Sequence, residues 1–159
     1  DRAGGEYIGL RISSCEQQAV KVMEGAQGAF YGCVFEESKE EGVVVMDSGE
    51  ASLRDCCIRG NQGPGVDVSG RAKVSAVGCE IQANVGGVWL WDDAKAVLSQ
   101  CKMEGGDSHV LLADGDCLPA VRSCLVRGMV QATAEAWEGI SHETNTFIEP
   151  AKPVELPPE

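Results

Sequence analysis

Five cysteines stand at positions 33, 56, 79, 101 and 124, so successive members lie 23, 23, 22 and 23 residues apart. A fixed period of this length is the mark of a chain built from stacked copies of one small unit. Leu10 occupies the same place one period before Cys33. Thr146 is the expected last member of this column. Other columns keep step. Two residues on run Ile12, Phe35, Ile58, Ile81, Met103, Val126 and an expected Ile148; three residues back run Tyr7, Phe30, Leu53, Ala76, Leu98 and Val121. A third pair of columns reads Val20/Val22, Val43/Val45, Val66/Val68, Val88/Leu90 and Val110/Leu112, the last two placed by a one-residue deletion.

Each copy therefore holds short segments of alternating apolar residues, too brief for helices, broken by Gly, Asn, Asp and Ser. No stretch of a dozen residues keeps a helical apolar stripe. A single copy cannot bury its apolar positions. Stacked copies can, because each strand pairs in parallel with its equivalents above and below. The expected fold is all-β: one single-stranded parallel β-helix of about six rungs of 22–23 residues, occupying residues 1–148. Strand spacing sets a rung rise of ~4.8 Å, so six rungs make a rod on the order of 30 Å long. The segment Met129–Gly139 has helix-forming residues and is open to a short helix in place of the last third strand. Residues 149–159 hold four of the six prolines and read as an extended tail, ordered only where something holds it.

The phrase A-S-L-R-D-C-C-I-R-G-N at 51–61, followed by G-V-D-V at 65–68, resembles the repeats of the pectin-lyase-like superfamily of right-handed parallel β-helices. It is most similar to the non-enzymatic β-helix regions of F-box-only and SHC-binding-type proteins. That resemblance implies a right-handed solenoid. It leaves function open, since this fold hosts polysaccharide enzymes as well as adaptor modules.

The net charge of −12 disfavours nucleic acid as a partner, because phosphates call for Lys and Arg. No apolar run approaches the ~20 residues of a membrane span. The cysteine column reads as small apolar filling of an interior rather than as a disulfide framework, since stacked parallel neighbours aim their Cβ atoms poorly for a bridge. Reduced thiols point to an intracellular compartment, cytoplasmic or organellar, with the missing initiator Met leaving organellar processing open. Cys15 and Cys117 fall in loops, and Cys57, one past the column, is the candidate reactive thiol.

Asp92, Asp93, Asp114 and Asp116 fall in successive turns and are weak candidates for a cation site. Polysaccharide-cleaving β-helices also place a His and basic residues beside such acids, and this chain has only His109 and His142, without those motifs. No catalytic residue and no cofactor is expected. Asn61 and Asn84 share one loop position and suit a hydrogen-bonded ladder.

The outward positions of the third strands carry the surface signal. They read Lys21, Val44, Asp67, Trp89 and Leu111, then Met23, Met46, Ser69, Trp91 and Ala113, with Trp137 one rung on. Met23, Val44, Met46, Trp89, Trp91, Leu111 and Trp137 are the candidate partner-binding residues, because exposed apolar clusters with Trp mark contacts. The functional expectation is a structural or accessory module that joins other protein subunits in a larger complex. The alternatives are a carbohydrate-binding or polysaccharide-active β-helix, and the substrate-adaptor repeats of a ubiquitin-ligase-type protein.

Overall fold

The computed structural model describes residues 4–148 and the backbone strand Pro153–Glu155. Three parallel sheets wrap around one interior. The first holds Gly4–Ile8, Gln27–Tyr31, Glu50–Arg54, Lys73–Val77, Lys95–Ser99 and Leu118–Arg122. The second holds Arg11–Ser13, Val34–Glu36, Cys57–Arg59, Glu80–Gln82, Lys102–Glu104, Leu125–Arg127 and Thr146–Ile148. The third holds Val20–Val22, Val43–Val45, Pro64–Val68, Gly86–Leu90, Leu111–Ala113, Val130–Ala132 and Pro153–Glu155. Every strand pairs with its copy one rung away, so the fold is a parallel β-solenoid of six rungs with two strands of a seventh.

The columns predict the core. Phe30, Leu53, Ala76, Leu98 and Val121 are in register and buried, as are Phe35, Ile58, Ile81, Met103 and Val126. The residue before each column position has a left-handed backbone: Gly9, Gly32, Asp55, Gly78, Gln100 and Ser123. That conformation turns the first strand sharply into the second. It pins the next side chain inside the corner. There the thiol of Cys56 points at the carbonyls of Arg54 and Phe30, both at 3.4 Å, and Cys79, Cys101 and Cys124 repeat the pattern. A small side chain with a weak donor suits this place.

At the second corner, Asn61 and Asn84 are both buried. The Asn61 amide donates from Nδ2 to Asn84 Oδ1 at 2.8 Å, and the Ser38 N–H donates to Asn61 Oδ1 at 3.0 Å. The ladder stops at Ser38, whose own buried hydroxyl has no partner among the described residues.

Four details differ from the sequence reading. In the fifth rung the inward pair is Leu111/Ala113, not Val110/Leu112, because Val88 pairs with Leu111 and Leu90 with Ala113. The deletion is confined to one corner: the step from Ile81 to Val88 is seven residues, whereas Ile58 to Val66 and Met103 to Leu111 are both eight. In the last rung the column continues at Asn145 rather than Thr146, since Thr146 pairs with Leu125 and Phe147 with Val126, leaving Ile148 beside Arg127. Asn145 Nδ2 bonds the Val121 carbonyl at 2.8 Å, taking over the thiol's role.

Met129–Gly139 forms both a strand and a helix. Val130–Ala132 keeps its place in the third sheet, and helix Ala134–Ile140 follows, capped by Thr133, whose side chain accepts from the Ala136 N–H. The helix packs across the edge strand Leu118–Arg122, where Arg122 Nη1 donates to the Gly139 carbonyl at 2.9 Å. Within 149–159, Pro153–Glu155 pairs with Val130–Ala132, so this part of the tail joins the sheet. The rest of the tail lies outside the described residues.

Among the described residues strand Gly4–Ile8 has a neighbour on one side only, and Tyr7 and Ile8 are 44% and 80% exposed.

Candidate functional site

The third sheet carries the most concentrated aromatic surface. Trp89 lies on strand Gly86–Leu90 and Trp91 directly follows that strand, two residues on and in the same extended alternation, so both leave the same face. Their rings meet edge to face, with centroids 6.3 Å apart and planes at 84°. The Trp89 indole N–H donates to the His109 carbonyl at 3.0 Å, which holds the ring back over the strand. It lies where a side chain at position 86 would be: a Cβ on Gly86 would sit 2.5 Å from Trp89 Nε1. Gly86 is thus part of the site, an unbranched floor that lets the ring lie flat.

Asp67 pairs with Trp89 one rung below, and Val44 pairs with Asp67 below that. Asp67 is half-buried. Burial, and then the negative charge of Glu41, push its carboxyl up to about 6, with the Trp91 indole N–H acting the other way. Among the described residues no ion pair involves Asp67 or Glu41. On the other side, the Asp114 N–H bonds the Leu90 carbonyl as the Trp91 N–H bonds that of Val68, so Asp114 is the rung-mate of Trp91.

The predicted face is assembled in part. Met23, Val44, Met46, Trp89 and Trp91 are on it, all half-buried. Leu111 is not. It points into the core at 2% exposure, and Leu112 takes the outward place beside Trp89. Ala113 is likewise inward. Trp137 is on the terminal helix instead and packs on Phe147, with centroids 5.8 Å apart. The shifted register and the helix account for both corrections.

Cys57 faces outward, half-buried, between Val34 and Glu80. Burial pushes its thiol up, and Arg59 offsets this only in part. Its surroundings thus disfavour the thiolate that reactivity needs. Beside it, Glu36 bridges two cations: Arg11 and Arg59 donate from Nε at 2.7 and 2.9 Å and hold its carboxyl below the usual range.

The turn acids do not converge. Asp92 accepts from the Gly70 N–H at 3.0 Å, tying one turn to the next. Asp93 and Asp116 are exposed. Among the described residues no three His, Cys, Asp or Glu side chains are placed to hold a metal ion.

A second concavity escaped the sequence reading. The outer face of the first sheet forms a groove of about 790 Å³, lined by Gln27, Glu50, Ser52, Lys73, Ser75 and Lys95 among others. Its floor comes from small outward residues, which carry no sequence signal by themselves. Among the described residues no helix is long and apolar enough to cross a membrane.

The family described as right handed beta helix region matches this chain at residues 2–105 and again, in an overlapping window, at 34–146. The chain belongs to that family. No curated protein and no solved structure matches it.

Proposed function

We propose that this member of the right-handed β-helix family is a non-enzymatic interaction module, a rigid rod that docks onto other protein subunits. The docking surface is the third-sheet face built by Val44, Met46, Trp89 and Trp91. The observation that carries this reading is the edge-to-face Trp89–Trp91 pair, half-buried on the outer face of the third sheet. Trp is the side chain most enriched where binding energy concentrates, and a rigid solenoid presents it without ordering cost. The scattered turn acids support a non-catalytic role, since acid–base chemistry needs paired groups within reach of one substrate.

The test compares partner recovery from the native source using the wild-type chain, Trp91→Ala and Leu118→Ala. Leu118 is an exposed apolar control on the first sheet. A protein captured by wild type and Leu118→Ala but lost with Trp91→Ala supports the reading. Equal recovery with all three overturns it.

The first-sheet groove favours a second reading, a carbohydrate-binding β-helix, because hydroxyls and charged groups line an elongated cleft. Saturable binding to a glycan panel, lost on Lys73→Ala, would select it.

A further inference from the structure

Resting on the docking reading, we infer that the third-sheet surface recognises a basic segment of its partner, with a guanidinium or ammonium group seated against Trp91 and ion-paired with Asp67.

Three observations meet at one place. The two indoles stand nearly perpendicular, so they form two walls of a corner rather than one flat plate. Aromatic faces attract cations, by about 0.5–2 kcal/mol according to desolvation. At the foot of the corner lies Asp67, a half-buried carboxylate. A carboxylate withdrawn from water without a counter-charge is costly, and one opposite charge within reach offsets that cost.

Among the described residues no ion pair supplies the charge there. Lys21 is the only cation in the Asp67 column, two rungs away beyond Val44. The other ionisable groups around the corner are acids: Glu41, which raises Asp67, Asp92 in the adjoining turn, and Asp114 as the rung-mate of Trp91. His109 enters through its backbone carbonyl, which is already bonded to Trp89. The site thus offers negative charge and π faces together, which complement an Arg or Lys side chain and repel an acidic one.

The test uses the full chain carrying Trp137→Phe, so that fluorescence reports Trp89 and Trp91 alone. The probe is a capped tetra-arginine peptide, with capped tetra-glutamate as the blank. At pH 7.5 the arginine peptide should give a saturable change in emission. Affinity should fall about tenfold with Asp67→Asn, and by a similar factor at pH 5, where Asp67 takes up a proton. Asp116→Asn removes the same formal charge from an exposed turn and should stay within about twofold. No saturable change, or equal weakening by Asp67→Asn and Asp116→Asn, overturns the inference, the latter marking diffuse attraction to an acidic protein. If Trp91→Ala still abolishes partner recovery in that event, the docking surface stands and its partner segment is uncharged.

Discussion

The side-chain amide of Asn61 donates to the side-chain oxygen of Asn84 one rung above, at 2.8 Å, and both side chains are buried. Asn84 also accepts the Asn61 backbone N–H at 3.0 Å and donates to the Ile58 carbonyl at 3.0 Å. One side chain therefore makes three hydrogen bonds to the corner of the rung below. Asn84→Ala takes the acceptor from the buried Asn61 N–H and removes one bond each from the Ile58 carbonyl and from Asn61 Nδ2, which keeps the Phe35 carbonyl at 3.3 Å. The expected cost is about 2–4 kcal/mol, read as a lower urea midpoint with an unchanged slope.

The thiols should divide into two classes. Cys15 and Cys57 are half-buried and the other six are buried. Bonding to Cys101 and burial push the thiols of Cys79 and Cys124 far up, and burial pushes Cys117 up to about 11. A thiol reagent at pH 8 should modify at most Cys15 and Cys57 in the folded chain, and all eight cysteines in denaturant. The Cys57 rate should keep climbing as pH rises past the ordinary thiol range, because its own ionisation is held up by burial.

Gly139 seats the terminal helix. A Cβ there would stand 1.9 Å from the Pro119 carbonyl oxygen. Gly139→Ala must lift the helix off the edge strand, at an expected cost of about 1–3 kcal/mol. Trp137 should then move toward water, giving a red-shifted emission relative to wild type under native conditions.

Two carboxylates should give opposite pH signatures. Asp67 ionises near ~3.9 in an unfolded chain and at about 6 in the folded one. Between those values the folded protein holds a proton that the unfolded chain has lost, so stability falls as pH rises, and the full penalty stands above pH 6. Asp67→Asn should therefore stabilise the fold at pH 7.5 by an amount on the order of 1 kcal/mol after solvent screening, read as a higher melting temperature, and leave it unchanged at pH 3.5. Glu36, held low by hydrogen bonds from Arg59 and Arg11, acts the other way. Its stabilisation is present above the ordinary carboxylate range and is lost as pH falls through its folded value. Glu36→Gln should thus destabilise at neutral pH and not in acid.

The interior was legible because a solenoid repeats its core as a column. Cys33 to Cys124 and Phe35 to Val126 could be read off a single period. The corners were less legible. Deleting one residue between Ile81 and Val88 shifts one rung without shifting the next, and nothing local announces that the step lengthens again before Leu111. Trp137 left the predicted face because Thr133 starts a helix, a capping effect that outweighs the repeat where the first sheet has no seventh strand among the described residues. Trp89 and Trp91 were visible as residue types. Asp67 was visible only as a polar outward residue, since its significance comes from what the rungs on either side bring next to it. The first-sheet groove was invisible for a related reason, because Ser52 and Ser75 are informative only as the floor between longer neighbours.

The two ends of the first sheet are unlike: a helix lies across Leu118–Arg122, whereas the outer edge of Gly4–Ile8 is uncovered among the described residues. In a stack where each rung is held only by its neighbours, a rung with one neighbour opens first. Amide exchange should therefore run as a gradient along the rod, fastest in Gly4–Ile8 and slowest in the middle rungs near Lys73–Val77. Mechanically the molecule is a zipper with its slider at one end, and a pull on the N-terminal strand should peel it rung by rung while the Trp corner stays closed.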